Sequence, residues 1–201
     1  YKESPSSIDC LECSLGKYTD QRDMSACSSC PLGYYTNDQP SKDKQIRNIR
    51  CEGCPRGRYG DQEEQHTKEE CQNCSIGTYS DVTGITNLAD CVPCAAGKYS
   101  NEIGNTKDSD CVNCRSGRWN DQEGSIEQTS CQACGEGKFS AGVGMVTEAS
   151  CESCPAGFDQ TDEGFSYCQV CAAGSIHKAT GGVNCDKCVP GKYRAVDDLP
   201  A

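Results

Sequence analysis

The chain has 201 residues, a formal charge of −11 and 20 cysteines. Apolar residues make up 35% of it even when every cysteine is counted, which is too few for one large hydrophobic core. The acidic balance argues against nucleic acid as a partner, and no apolar stretch approaches the length of a membrane-spanning helix. We therefore expect no nucleic-acid binding and no membrane insertion in this segment.

The cysteines form ten Cys-x-x-Cys pairs, whose first members stand at residues 10, 27, 51, 71, 91, 111, 131, 151, 168 and 185. The dominant step of 20 residues is typical of repeat arrays, in which each unit contacts only its neighbours. We divide the chain into 1–9 (the end of a preceding repeat), 10–26 (repeat 1), 27–50 (repeat 2, with a long loop), 51–150 (repeats 3 to 7), 151–184 (repeats 8 and 9) and 185–201 (the start of a further repeat).

Each repeat has the same internal pattern. A glycine follows the second cysteine by three residues in all ten units, and we expect it to supply either a positive φ or a close approach of the backbone after the disulfide. In eight units an aromatic residue comes two positions later, and its ring is expected to lie against the cystine sulfurs. A second glycine recurs at residues 84, 104, 124 and 144, where the chain must turn back. Segments such as Tyr79-Ser80 and Phe139-Ser140 are predicted strand pieces. The predicted fold is small and disulfide-rich: an elongated array of about ten short β-hairpin or irregular units.

The cysteines could serve as disulfides or as zinc ligands. Two consecutive Cys-x-x-Cys pairs have the spacing of a four-cysteine zinc site. Separate zinc sites should show alternating spacing, however, and the step here stays constant over repeats 3 to 7. A cysteine content of about 10% is typical of oxidised extracellular scaffolds. Disulfides are therefore the preferred interpretation, and a zinc-binding scaffold is the alternative.

Sequence alone does not select one pairing among so many cysteines, but a uniform repeat favours a uniform rule. The simplest rule joins the second cysteine of each pair to the first cysteine of the next. It predicts the disulfides Cys13–Cys27, Cys30–Cys51, Cys54–Cys71, Cys74–Cys91, Cys94–Cys111, Cys114–Cys131, Cys134–Cys151, Cys154–Cys168 and Cys171–Cys185. It leaves Cys10 and Cys188, which we expect to bond residues outside this sequence, because the chain reads as a window cut from a longer array.

These motifs resemble the ephrin-receptor-like cysteine-rich repeat, a module similar in style to those of growth-factor and tumour-necrosis-factor receptors. The resemblance is carried by CSIGTYS at 74–80 and CVPCAAGKYS at 91–100, and it extends over nearly the whole chain. It implies an elongated secreted or cell-surface ectodomain without catalysis, in which each Cys-x-x-Gly-x-Tyr loop closes on the next cysteine. Two units depart from the pattern: Phe158 follows its glycine directly, and Ile176 occupies an aromatic position.

Few residues are candidates for chemistry. His66 and His177 are the only histidines, and each lies in a polar stretch without a neighbouring nucleophile, so we predict no catalytic site, metal site or cofactor. Asn73 begins Asn-Cys-Ser, a candidate N-glycosylation site that would make the chain a glycoprotein.

One loop stands out by its charge. The segment between the second and third pairs carries Lys42, Lys44, Arg47 and Arg50. It is either a contact for an acidic partner, such as another copy of this chain or an anionic glycan, or a solvated insertion.

The sequence therefore predicts a non-enzymatic, extracellular or cell-surface structural protein made of repeats. It would form a rod, stalk or filament building block of a cell surface or extracellular appendage, with proteins as partners, copies of itself included. The alternatives are the ligand-binding or adhesion ectodomain of a cell-surface receptor and a zinc-binding scaffold.

Overall fold

The computed structural model describes residues 12–21, 24–36 and 50–194. These residues form nine two-stranded antiparallel hairpins and four single-turn 3₁₀ segments. The hairpins pair β1 (Lys17–Tyr18) with β2 (Ser28–Ser29), β3 (Tyr34–Thr36) with β4 (Cys51–Gly53), β5 (Arg58–Tyr59) with β6 (Gln72–Asn73), β7 (Thr78–Tyr79) with β8 (Val92–Pro93), β9 (Lys98–Tyr99) with β10 (Val112–Asn113), β11 (Arg118–Trp119) with β12 (Gln132–Ala133), β13 (Lys138–Phe139) with β14 (Glu152–Ser153), β15 (Phe158–Asp159) with β16 (Gln169–Val170), and β17 (Ser175–Ile176) with β18 (Asp186–Lys187). The 3₁₀ segments are Leu88–Asp90, Asp108–Asp110, Gln128–Ser130 and Glu148–Ser150. The prediction of a small, disulfide-rich array of short hairpins is confirmed.

Each hairpin begins at the glycine that follows a Cys-x-x-Cys pair. All ten of these glycines have a positive φ, as predicted, and Gly77 has a φ of 74°. In that conformation the amide of Thr78 donates to the carbonyl of Ser75 at 3.2 Å and closes a tight turn. The strand that follows the turn pairs Thr78 with Pro93 and Tyr79 with Val92. The glycine therefore sets the direction in which the hairpin leaves the cysteine pair, because an L-residue adopts this backbone conformation only with strain.

Nine disulfides each join the second cysteine of one pair to the first cysteine of the next, with Cα–Cα distances of 5.6 to 5.9 Å. They are Cys13–Cys27, Cys30–Cys51, Cys54–Cys71, Cys74–Cys91, Cys94–Cys111, Cys114–Cys131, Cys134–Cys151, Cys154–Cys168 and Cys171–Cys185. In the seven Cys-x-x-Cys pairs from the one that ends at Cys30 to the one that ends at Cys154, the second cysteine is 0% exposed. Each disulfide closes the loop between its two cysteines. Closing such a loop lowers the entropy of the unfolded chain and thereby stabilises the folded state by about 3 kcal/mol. Covalent closure thus replaces a large apolar core. The Phe158 and Ile176 repeats form the same hairpin as the others.

The repeats group into two compact units. The first holds Tyr1–Cys74 with Ser80–Cys91, and the second holds Ser75–Tyr79 with Val92–Ala201. In the first unit the amide of Gly57 donates to the carbonyl of Ser80 at 2.9 Å. In the second, the amide of Gly97 donates to the carbonyl of Asn120 at 2.7 Å. The same bond therefore joins consecutive repeats inside each unit.

The expectation that each repeat contacts only its neighbours is wrong. The turn glycines of repeats 4 and 5, Gly77 and Gly97, lie against the carbonyl groups of Gly124 and Gly144 in repeats 6 and 7. In the first unit, Gly33 lies against Gly84 in the same way. The cause is the turn glycine itself. Because it has no β-carbon, the backbone of the repeat two positions further along the chain can approach its Cα. Each repeat consequently packs against its first and second neighbours.

We expected an aromatic ring to lie against the cystine sulfurs in each repeat, and the structure differs from this expectation. Tyr35 is the one buried aromatic residue in the described ranges, and it clusters with the Cys54–Cys71 disulfide, which joins repeats 3 and 4. The other described aromatic rings remain partly or largely exposed. The buried side chains beside the cystines are mainly polar, and among them Asn120 and Gln160 are each 1% exposed. Polar groups can be buried here because neighbouring backbone groups satisfy them.

Candidate functional site

The most regular feature of the molecule is the interface between consecutive repeats, which we call the repeat interface. Between repeats 5 and 6 it includes, besides the β9–β10 hairpin and the Cys94–Cys111 disulfide, three backbone hydrogen bonds. The amide of Gly97 donates to Asn120, that of Ser100 donates to the carbonyl of Ser125 at 3.0 Å, and that of Gly124 donates to the carbonyl of Cys94 at 2.8 Å. Because backbone groups make these bonds, the interface can be repeated with many different side chains.

Repeats 5 and 6 each bury a pair of polar side chains that stand five positions apart in the sequence. In repeat 5, the Asn105 amide donates to the Ser100 hydroxyl at 2.7 Å. In repeat 6 the two residue types are exchanged, and the Asn120 amide donates to the Ser125 hydroxyl at 2.8 Å. All four residues are buried, at 8% exposure or less. The volume of the pair is therefore conserved between the two repeats although the order of the residues is reversed.

Ion pairs lie on the outside of the hairpins. The Glu64 carboxylate accepts a hydrogen bond from the Ser29 hydroxyl at 2.6 Å and lies 3.2 Å from the Lys17 ammonium. The hydrogen bond from Ser29, and then the contact with Lys17, lower the pKa of Glu64 below its usual value. Lys98 pairs with Asp108, and Lys138 pairs with Glu148 at 3.1 Å. These pairs are solvent-exposed, so each adds little to stability.

Two carboxylates close the loops before the first cysteines of repeats 5 and 6. Asp90 accepts bonds from the amides of Thr86 and Asn87 at 3.0 and 3.1 Å. Asp110 accepts the amide of Thr106 at 2.8 Å. These backbone donors lower the pKa of both carboxyl groups, because they stabilise the charged form.

The structure separates the two histidines that the sequence singled out. The Nδ1 of His66 lies 2.7 Å from the Glu70 carboxylate, and its backbone amide donates to the same side chain at 2.8 Å. The Nδ1 of His177 lies 3.0 Å from the carbonyl of Ala179. Neither contact involves a serine or cysteine nucleophile, and the one with Glu70 closes a loop. The sequence offered a signal for it in the four-residue spacing of the two side chains.

The remaining candidate residues lie apart from one another. Asn73 is exposed in β6, so its glycosylation stays a prediction. Arg50 is exposed, whereas Lys42, Lys44, Arg47 and Cys10 lie outside the described residues. Cys188 is half-buried and forms no disulfide. Among the residues that the structure describes, no group of three or more His, Cys, Asp or Glu side chains is placed to hold a metal ion, and a cysteine in a disulfide is not a thiolate that zinc could bind.

Two hairpins present matched apolar side chains to solvent. Val92 is 43% exposed and Val112 is 49% exposed, at the same position of repeats 5 and 6. They pair across their hairpins with Tyr79 and Tyr99, whose rings are half-exposed. We call these four residues the valine–tyrosine surface. Tyrosine is one of the residue types that are enriched at protein–protein interfaces.

Two segments of the chain, residues 1–46 and 83–131, match the model of a family described as tyrosine-protein kinase ephrin type A/B receptor-like. In these two segments the chain carries ephrin-receptor-like cysteine-rich repeats. Repeats of this family are a non-catalytic ectodomain type and are typical of extracellular receptor modules. No curated protein matches the chain significantly. Over the described ranges, no helix has the length and apolarity needed to span a bilayer.

Proposed function

We propose that the chain is a non-enzymatic extracellular structural protein, a load-bearing building block of a rod, stalk or filament. The observation that carries the proposal is the covalent closure of consecutive repeats by the nine disulfides, from Cys13–Cys27 to Cys171–Cys185. The isolated contacts of His66 and His177 give no support to a catalytic role.

The disulfides determine how the chain would carry tension. A force applied along the chain enters a repeat through one Cys-x-x-Cys segment and crosses to the next through one disulfide. The Cα atoms of Cys94 and Cys111, for example, are 5.9 Å apart although the residues are 17 positions apart in sequence. The loop between them is thus shielded from extension. Such a path suits a protein that must keep its length under load.

Single-molecule pulling on the secreted, oxidised chain tests this proposal. Without a reductant, we expect no extension of the shielded loops. With a reductant, each cleaved bridge of 17-residue separation should release a step of about 50 Å, because an extended chain spans about 3.3–3.6 Å per residue. Release of the loops without a reductant, or accumulation of the chain as reduced intracellular thiol protein, would overturn the proposal.

A receptor or adhesion ectodomain is the second candidate, and the valine–tyrosine surface favours it. The variant Val92→Glu/Val112→Glu should abolish adhesion of chain-coated beads to cell surfaces if this surface binds a ligand. Val82→Glu/Val143→Glu, which changes two valines that are 56% and 57% exposed elsewhere, is the matched control. If both variants and the parent chain adhere equally, the receptor candidate is rejected and only the structural role remains.

A further inference from the structure

Asn73 begins the one Asn-x-Ser/Thr motif of the chain, Asn-Cys-Ser, in which Ser75 supplies the hydroxyl group. Its side chain is exposed in strand β6 and makes no hydrogen bond with any residue that the structure describes. The residue that follows, Cys74, is 0% exposed. The finished fold thus has room for a glycan on Asn73, because the amide faces solvent and no neighbour depends on it.

The same fold nevertheless holds all three residues of the motif in place. The backbone of Asn73 is paired in the β5–β6 hairpin, and Cys74 is bonded to Cys91. The carbonyl of Ser75 accepts the amide and the hydroxyl of Thr78 at 3.2 and 2.8 Å. An enzyme that modifies the Asn73 amide must bind the asparagine and the serine hydroxyl together in its own site. A motif that is fixed by a hairpin and a disulfide cannot adopt the shape of that site, so the folded chain can keep a glycan but cannot receive one.

The order of synthesis gives the motif a short period in which it is free. Cys91 follows Cys74 by 17 residues, which take about 1–3 s to synthesise at roughly 5–20 residues per second. The disulfide itself then takes seconds to hours to form. Glycosylation and bridge closure therefore compete on overlapping timescales, and the faster of the two decides the state of each molecule.

Asn113 offers a comparison inside the same molecule. It occupies the corresponding place in strand β10 and is also exposed. The next residue, Cys114, is likewise 0% exposed and is bonded to Cys131 across the same separation of 17 residues. The third residue is Arg115 instead of a serine. Within the three-residue motif, the two places therefore differ only in the residue that should carry the hydroxyl group.

We propose that Asn73 is an N-glycosylation site that stays open only until the Cys74–Cys91 disulfide closes, so that the rate of closure sets the fraction of chains that carry a glycan. This inference goes beyond the structural function proposed above and requires only that the chain is secreted.

The sugar donor is an oligosaccharide that is bound through a pyrophosphate to a membrane lipid. The amide nitrogen of Asn73 attacks the anomeric carbon of the first sugar, and a bond forms between these two atoms. The bond from that carbon to the pyrophosphate oxygen breaks, and the lipid pyrophosphate leaves with its electron pair. The amide nitrogen loses one proton to a base of the transferase, so the Asn73 side chain ends as a neutral, substituted amide.

Mass spectrometry of the 201-residue chain, made behind a signal peptide in cultured animal cells, tests the modification. Treatment with peptide N-glycosidase in heavy-oxygen water marks every glycosylated asparagine, and the marked fraction gives the ratio of glycosylated to unglycosylated chain. We expect the mark at Asn73 and none at Asn113. The variant Asn73→Gln should lose it.

The variant Cys91→Ala tests the coupling, because it removes the closing partner and keeps the motif intact. The ratio at Asn73 should rise by about twofold or more, since no bridge then ends the free period. Cys131→Ala is the matched control: it leaves one cysteine unpaired at the corresponding place of another hairpin and should not change the ratio at Asn73. An unpaired cysteine can cause retention in the cell, so the ratio is measured on all newly made chain, cellular and secreted. Brief treatment of cells that make the parent chain with dithiothreitol should raise the ratio without any substitution.

The variant Arg115→Ser makes the test reciprocal, because it completes the motif at Asn113. Asn113 should then gain a glycan, whose ratio rises with Cys131→Ala and not with Cys91→Ala. The inference is overturned by the absence of a glycan at Asn73 from both the parent chain and Cys91→Ala, by an unchanged ratio in Cys91→Ala, or by an equal rise at Asn73 in Cys131→Ala.

Discussion

The carbonyl group of Gly124 lies against the Cα of Gly77, two repeats earlier, so closely that a β-carbon on Gly77 has no room. The Ile126 side chain covers the same spot, with its Cγ2 3.1 Å from that position. Gly77 therefore serves two purposes. Its φ of 74° starts the hairpin of its own repeat, and its missing side chain admits the backbone of repeat 6. The positive φ is common to all ten of these glycines, whereas the close contact with a carbonyl group occurs at Gly77, Gly97 and Gly137 but not at Gly174 or Gly191.

The first prediction concerns this contact. Gly77→Ala should destabilise the protein by about 2–4 kcal/mol, because it adds both a strained backbone conformation and a clash with a carbonyl group that cannot rotate away. Trp119, the only tryptophan, lies in the repeat that supplies Gly124, so its fluorescence during urea unfolding reports the change. Gly135→Ala is the control, since nothing lies within 4 Å of a β-carbon there, and it should change stability by less than about 0.5 kcal/mol. Equal effects of the two substitutions would contradict the second-neighbour packing.

The second prediction concerns the buried pair of repeat 6. Asn120→Ser should cost about 1–3 kcal/mol, because it removes a buried amide that bonds Ser125 and leaves polar groups unsatisfied. Ser125→Asn should cost about 1–3 kcal/mol by overpacking. The double exchange reproduces the order found in repeat 5 and should recover most of the loss, with a coupling of about 1–2 kcal/mol in a double-mutant cycle of urea unfolding. Additive single effects would show that the two positions do not share one space.

The third prediction concerns acid. The pKa of Asp90 is lowered by the amide of Thr86 and the further donors on its loop. A carboxyl group with a depressed pKa in the folded state stabilises that state above its unfolded pKa of about 3.9. This contribution is lost as the pH falls through the folded pKa. Amide hydrogen exchange at Thr86 and Asn87 should therefore accelerate in that acid range beyond the intrinsic pH trend. In Asp90→Asn the additional acceleration should be absent. A parent chain whose protection factors stay constant down to the folded pKa would contradict this role.

The features that the sequence predicted correctly are those that depend on local backbone preferences. The positive φ of the turn glycines and the short hairpins follow from local backbone preferences, which a single repeat already contains. The contact between Gly77 and Gly124 could not be predicted in this way, because it depends on how far each repeat advances along the array. The polar centres were missed for a related reason. Asn120 and Gln160 look like loop residues in the sequence, and only the backbone groups of neighbouring repeats make their burial favourable.

The last prediction asks how far along the array a local defect is felt. The Cys114–Cys131 disulfide closes the loop that holds Trp119. Its removal in Cys114→Ala/Cys131→Ala should lower the stability reported by Trp119 by about 3 kcal/mol, since the unfolded loop regains its entropy. Alanine is the suitable replacement because Cys114 is 0% exposed, and a buried hydroxyl would add a second cost.

The matched variant Cys171→Ala/Cys185→Ala opens a loop in repeat 9, three repeats away from Trp119. In a one-dimensional array stability is shared among repeats that touch. Repeat 6 contacts repeat 8 through Gly117 and Gly164, and repeat 9 lies one repeat further along the chain. The tryptophan-detected midpoint in urea should therefore stay near that of the parent chain, while hydrogen exchange of the Ser175 amide accelerates. If both variants shift the Trp119 transition equally, the described repeats unfold as one cooperative block. Coupling would then extend well beyond second neighbours.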